Sequence, residues 1–349
     1  MMECPPEEVN PSPPPMDSKW TEAVLGQEWS GRDKYLWLTC DLEFPVQWNG
    51  RQLVGLFDFG VTGSCSTYGF EALLYVDGVP FQGVDTHHQE VYFPEHFAGR
   101  TVPVVFRLWS GLEGGGVPRI MTHVFRQAET AWLDESVDQL YYAGRMILET
   151  LPLLSDNDPV RTALRNALNQ ALLEVDWRDE GSTSFHASVQ TAWGTLDRLL
   201  NSMDKQSVVD LVCVGHTHID VAWLWRYKHT REKSARSFST VLRLMEQYPE
   251  YTFLQSQPQL YEYIKNDFPE IYEGIRQKIR EGRWEVDGGM WIEADCNIPS
   301  GESLTRQILV GTRFTEKEFG TRMHYLWLPD VFGYSWALPQ ILKKSGLDT

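Results

Sequence analysis

The chain of 349 residues has no run of about eighteen apolar residues, so no helical membrane span is expected. Its amino end is acidic and proline-rich where a secretory signal would be basic and then apolar. Cysteine is scarce: Cys4, Cys40, Cys65, Cys213 and Cys296 are odd in number, widely spaced and contain no C-x-x-C pair. That pattern excludes a disulfide scaffold and points to reduced thiols in a cytoplasm. Positive charge is also short, with 31 Lys and Arg against 48 Asp and Glu and a net charge of −17. Nucleic acid and anionic membrane surfaces are therefore excluded as partners, and a neutral or cationic ligand suits the chain better.

Tryptophan, in contrast, is abundant at 14 residues. Aromatic faces either fill cores or stack on sugar rings. The length predicts more than one folded unit. Residues 1–18 carry Pro5, Pro6, Pro11, Pro13, Pro14 and Pro15 and are expected to be a disordered tail. Residues 19–128 alternate short apolar runs with turn residues, and Asp77-Gly78 is a hairpin signal, so a β-sandwich or jelly roll is predicted. From residue 129 the period becomes helical, with Leu133, Val137 and Leu140 on one face and Asp158-Pro159 opening a second helix; 129–205 reads as a small α-helical unit. Over 206–349 strands and helices alternate in four β/α repeats, which implies a parallel sheet, barrel or doubly wound.

The chemistry concentrates at the ends of those predicted strands, where parallel sheets gather ligands. Residues 208–214 read as a buried strand leading into 215–225, GHTHIDVAWLW. There His218 and Asp220 are two apart, so an imidazole nitrogen and a carboxylate can converge on one divalent cation. His216 would face elsewhere as a supporting partner. The fourth strand leads into 326–333, LWLPDVFG, where Asp330 is placed either as an active-site carboxylate or as a helix N-cap. Acids also follow the third strand in 288–303, GGMWIEADCNIPSGES, while Arg306 and His324 read as structural.

Those three motifs, in this order, together resemble glycoside hydrolase family 38, the zinc-dependent α-mannosidases. Residues 20–128, with YVDG at 75–78, QGVD at 82–85 and RLWSG at 107–111, are similar to the amino-terminal β domain of the family's cytosolic and bacterial branch. The resemblance implies hydrolysis of α-linked mannosides with retention, on a seven-stranded β/α barrel of which 206–349 would be the first half. It implies that His218, Asp220 and Asp330 bind zinc, cobalt being the other metal compatible with the donors, and that Asp330 is also the nucleophile. Trp223 and Phe332 would line the sugar pocket, and Asp295 would help shape it. A further zinc-ligating histidine and the general acid lie, in the family, beyond residue 349, so the chain is expected to be an inactive amino-terminal fragment. The implied partner is a mannose-containing oligosaccharide, with a homo-oligomer compatible in the full-length protein.

Two other readings follow from the same residues. One is a metal-dependent polysaccharide deacetylase, which would use H-x-D to activate water and would need no nucleophile at Asp330. The other is a non-catalytic carbohydrate-binding relic using Trp48, Tyr75, Trp109 and the Asp85/His87/His88 cluster, unless those residues join the β domain to the rest.

Overall fold

The computed structural model describes residues 1–349 except 5–7, 15–18, 61–68, 114, 205–208 and 348–349. Cys65, Pro5, Pro6, Pro15 and Val208 lie outside the described residues. Strand β1 is Met2–Cys4, β2 Glu28–Gly31, β3 Tyr35–Phe44, β4 Gln52–Asp58, β5 Glu71–Val76, β6 Val79–Asp85, β7 Glu90–Phe93, β8 Arg100–Trp109, β9 Met121–Val124 and β10 Gln127–Leu133. A five-stranded sheet β1-β3-β8-β5-β6 faces a three-stranded sheet β10-β4-β7, with β2 and β9 as a separate pair. All ten strands pair antiparallel. Alternating residues such as Leu36, Leu38, Leu53, Phe57, Leu74, Phe93 and Phe106 fill the space between the sheets. The β5–β6 hairpin turns through Asp77 and Gly78, both at positive φ (50° and 77°), the conformation that selects Asp-Gly.

Two boundaries differ from the sequence reading. The amino terminus is not a free tail: β1 pairs with β3, and Arg107 donates to the carbonyls of Glu8 and Val9 at 2.7 Å each. Backbone pairing fixes Met2–Cys4 and a buried guanidinium fixes Glu8 and Val9, within a stretch whose composition alone looks disordered. The sandwich also extends past residue 129, because β10 pairs with β4 as far as Leu133 opposite Gln52. The helical unit begins only where the Asp134 carboxylate accepts from the N–H groups of Ser136 and Val137. Its helices are α1 Glu135–Thr150, α2 Pro159–Glu174 and α3 Thr183–Ser202, packed around Leu140, Leu168, Val189 and Leu196. Asp158 caps α2 and Pro159 occupies its first turn.

The last unit is a parallel strip. Strands β11 Gly215–His216, β12 Phe253–Leu254 and β13 Trp284–Glu285 lie in that order, and Gly288 bridges Leu326 in the same parallel sense. Helices α4 Tyr227–Gln247, α5 Pro258–Asp267, α6 Pro269–Arg280, α7 Gly301–Phe319 and α8 Leu338–Ser345 alternate with these segments. The predicted strand at 208–214 is not formed: Leu211 and Val212 are 87% and 93% exposed. Pairing starts at Gly215, which donates to Thr252; before that point β12 has no facing backbone, because its own chain is turning out of α4 at 249–250. The predicted fourth strand is reduced to the bridge at Leu326. The described residues thus form an open strip and no closed barrel.

Helix α4 is what ties this strip to the sandwich. It is buried on two sides, against β6 on one and α5 and α6 on the other, so polar residues such as His229, Glu232, Arg236 and Thr240 are buried along with Phe238 and Val241. Its close approach to β6 requires Gly83, where a Cβ would lie 2.8 Å from the Arg236 carbonyl oxygen. Among the described residues no helix is long and apolar enough to cross a membrane.

Candidate metal centre

The strip delivers its polar residues at the carboxyl ends of its strands, as the parallel geometry requires. After β11 comes His218, whose Nε2 is 3.1 Å from Asp220 Oδ1 and 3.6 Å from Asp330 Oδ2. One donor atom from each of these three residues lies within 4.8 Å of the other two, and they are the one such group of histidine, cysteine and acidic side chains found among the described residues. His218 and Asp220, two apart in the segment after β11, thus come together, and the turn after the Leu326 bridge brings in Asp330.

The other ring nitrogen of His218 is bound to Glu293, whose side chain is only 4% exposed. Glu293 also accepts from the Ser256 hydroxyl, and His216 Nε2 is 3.5 Å away. Burial works against ionising Glu293, but hydrogen bonds from His216, His218 and Ser256 outweigh it and hold the carboxyl below its ordinary range. The bond to Glu293, helped by the negative charge of Glu293 and Asp220, raises the His218 imidazolium to about 9. The Glu293 backbone is fixed in turn, its N–H donating to Gln257 Oε1 at 3.2 Å, while Gln257 Nε2 donates to the Ile219 carbonyl at 2.8 Å.

His216 is the supporting partner expected: Nδ1 meets the Leu254 carbonyl at 3.0 Å and the ring packs edge-on to Trp327. Glu293, Ser256 and Gln257 were not singled out from the sequence. Ser256 and Gln257 follow β12 directly, the same strand-end position that marked His218, and that signal would have found them. Asp295, singled out instead, is exposed and turned onto its own loop, accepting from the N–H groups of Asn297 at 2.7 Å and Ile298 at 3.0 Å. Those backbone bonds lower its pKa.

Two hollows open on the cluster. One, of about 440 Å³, is lined by His218, Asp220, Asp330, Trp223, Trp225, Phe332 and, from the sandwich, Glu71 and Trp109. Trp223 is 51% and Phe332 88% exposed, so both rings are available to a ligand. The other, about 450 Å³, lies between His218, Asp220, Gln257 and the loop carrying Asp295. Arg306 pairs with Glu302 on the α7 surface and His324 with Asp287, both outside the cluster as expected.

Trp109 and Tyr75, offered as sugar contacts, both act as joints, and Trp109 also reaches the wall of the first hollow. Trp109 is 5% exposed, stacks on His229 with centroids 4.8 Å apart and donates to Asp33 at 2.9 Å; the Tyr75 hydroxyl donates to Asn10 at 2.9 Å. Asp33 also accepts from His229 at 2.8 Å, so it joins the sandwich to α4. A buried Glu232 makes the same link, receiving Arg107 at 2.9 Å, Lys228 at 2.6 Å and the Tyr35 hydroxyl at 2.5 Å.

Fold and site together define a class: a β-sandwich bolted to a parallel β/α unit that presents a histidine–aspartate–aspartate cluster, able to hold a metal ion, beside aromatic side chains. Residues 208–349 match the glycosyl hydrolases family 38 N-terminal domain, and residues 2–103 match the alpha-mannosidase jelly roll domain. Residues 208–349 thus resemble the N-terminal domain of glycosyl hydrolase family 38, preceded by a segment that resembles the alpha-mannosidase jelly roll. It is 30% identical to alpha-mannosidase G of Dictyostelium discoideum over 348 residues, covering 95% of this chain and 30% of that protein. It is 32% identical to human alpha-mannosidase 2C1 over 326 residues, 89% of this chain and 30% of that protein. Over 146 residues, 42% of this chain, it is 43% identical to the alpha-mannosidase of Saccharomyces cerevisiae, covering 14% of it. The chain thus spans about 30% of the length of the first two relatives.

Proposed function

We propose that these residues form the cation-binding side of the active site of a zinc-dependent, retaining α-mannosidase that removes terminal α-linked mannose from oligosaccharides. The observation that carries this reading is the convergence of His218, Asp220 and Asp330 beneath a hollow walled by Trp223 and Phe332. The names of the relatives support the substrate class. One imidazole and two carboxylates form a nitrogen and oxygen donor set that suits zinc, with cobalt next. His218 is fixed through Nδ1 with Nε2 turned to the carboxylates, an arrangement typical of metal-ligating histidines. A divalent ion held there would grip vicinal sugar hydroxyls and favour the flattened, oxocarbenium-like ring.

The protein's own groups do the rest. The Asp330 carboxylate attacks the anomeric carbon as the glycosidic bond breaks, a carboxylic acid protonates the leaving oxygen, and water then cleaves the glycosyl ester with retention. Trp223 and Phe332 offer apolar faces to the ring. Asp295, tied to its own loop and lowered in pKa, suits a subsite wall better than a proton donor. We assign the proton donor and a further histidine ligand to parts of the full-length enzyme outside these residues, so the chain by itself is inactive. In the same reading the parallel strip is the opening half of a seven-stranded barrel. The described cysteines Cys4, Cys40, Cys213 and Cys296 are thiols, which suits a cytoplasmic enzyme.

A fluorinated mannosyl donor incubated with the full-length enzyme, followed by peptide mass mapping, tests the assignment. A mannosyl ester on Asp330 is expected. A label on another residue removes Asp330 as nucleophile, and acetate release from acetylated glycans without any label would favour the deacetylase reading.

A further inference from the structure

A second polar hollow, of about 430 Å³, lies where the sandwich, the helical unit and α4 meet. Its size is in the range of small-ligand sites. Tyr92 of β7, Tyr142 of α1 and Tyr248 at the end of α4 stand on its wall, with Tyr142 and Tyr248 each about half exposed at 51% and 49%. Glu90, Asp138 and Arg243 lie among them. Gln82, 4% exposed at the base, donates Nε2 to the Glu90 carbonyl at 2.9 Å, and its Oε1 has no hydrogen-bond partner.

The chemistry of this wall narrows what it can hold. Among the described residues the one group of three or more ligating side chains close enough to share a metal ion is His218, Asp220 and Asp330, so this wall offers a bare metal ion no donor set. An anion is opposed by Glu90 and Asp138, and the Arg243 guanidinium spends one nitrogen on Glu246 at 2.7 Å and lies over the Phe81 ring, its Nε being buried without a hydrogen-bond partner. The mixture of phenol, amide and carboxylate groups on this wall suits a neutral ligand rich in hydroxyls. Tyrosine rings present an apolar face with a polar tip to the alternating C–H and O–H surfaces of a sugar, and carboxylates and amides accept from its hydroxyls.

We propose that this hollow is a second, non-catalytic binding site for a neutral mannose-containing oligosaccharide. It shares Thr86, His87, His88, Thr240 and Leu244 with a smaller hollow of about 290 Å³. That hollow in turn shares Glu71 and Lys233, an ion pair at 2.8 Å, with the cavity of the metal cluster. From Lys233 to Tyr248 along α4 the distance is roughly 22 Å at the helical rise of 1.5 Å per residue. A glycan arm held at the tyrosines would therefore sit beyond the Glu71–Lys233 pair, at the far end of the same helix. That the sugar is mannose rests on the proposed function, whereas binding at this hollow does not depend on the metal centre.

The test uses the whole chain, stripped of metal by chelation, and α-linked mannotriose, with saturation-transfer NMR for contact and calorimetry for affinity. Saturation transfer to the trisaccharide is expected, and it should survive Asp220→Asn combined with Asp330→Asn. Tyr142→Ala with Tyr248→Ala should weaken binding roughly tenfold, the size expected when aromatic contacts are lost, and Tyr248→Phe should retain most of it. Asp138→Asn, a smaller change, should also weaken binding and decides the matter if the double tyrosine variant melts early. No transfer to the chelated wild type, binding unchanged in the folded tyrosine and Asp138 variants, or loss of binding in the Asp220/Asp330 variant would each overturn the proposal.

Discussion

Glu293 binds the Nδ1 of His218 while the Nε2 of the same ring lies 3.1 Å from Asp220, so one buried carboxylate fixes the orientation of the imidazole proposed as a metal ligand. Removing such a partner typically lowers metal affinity by about 10–100-fold. Glu293→Gln should therefore weaken zinc binding by that factor while the circular dichroism spectrum stays native, as measured by competition with a chromogenic chelator. An unchanged affinity would make Glu293 a packing residue only.

The same contact sets a pH dependence. Because the His218 pKa is raised to about 9 by Glu293, a proton occupies the ring over the neutral range, and a metal must displace it. Apparent zinc affinity should rise by about tenfold per pH unit between pH 6 and 8 and level off above about 9. Calorimetry in buffers of different ionisation enthalpy should report one proton released per ion; no proton release would contradict the assignment of His218.

The joint between sandwich and strip is ionic and buried. Arg107 and Glu232 have side chains 5% and 2% exposed, and Glu232 also holds Lys228 and Tyr35. Breaking one partner of a buried pair strands the other, so Glu232→Ala should destabilise the chain by about 3–5 kcal/mol. Urea unfolding checks this, with Glu149→Ala as a control, since its pairing with Arg145 is on the surface and should change stability by less than about 1 kcal/mol.

Glu71 adds an acid-sensitive link. Burial opposes its ionisation, but Arg236 and Lys233 prevail and bring its pKa from 4.5 down to about 2. A depressed folded-state pKa gives stability that is complete above the unfolded value and is lost as pH falls toward the folded one. The stability difference between wild type and Glu71→Gln should be constant above about pH 5 and shrink toward zero near pH 2, as read from thermal melts across that range.

Much of this was legible in the sequence because it rests on short-range rules. Asp-Gly at 77–78 specifies a hairpin, Asp158-Pro159 specifies a helix start, and alternation puts His218 and Asp220 on one side of the chain. The errors arise where distant contacts decide. The run 209–214 is apolar enough for a strand but has no facing backbone, and at the amino end Glu8 and Val9 are held by Arg107, a residue far along the chain. Glu293 and Asp295 sit in one loop with the same side-chain chemistry. Only the packing of Ser256, Gln257 and His218 around the first, and the inward turn of the loop onto the second, tells them apart.

The central claim is that His218, Asp220 and Asp330 hold one divalent cation. Metal analysis of the chain dialysed against zinc, combined with X-ray absorption at the zinc edge, tests it most directly. One zinc per chain is expected, with nitrogen and oxygen neighbours at about 2.0–2.2 Å and no sulfur, and that zinc should be lost in Asp220→Asn combined with Asp330→Asn. Sub-stoichiometric zinc, a sulfur neighbour at about 2.3 Å, or full retention of zinc in the double variant would contradict it.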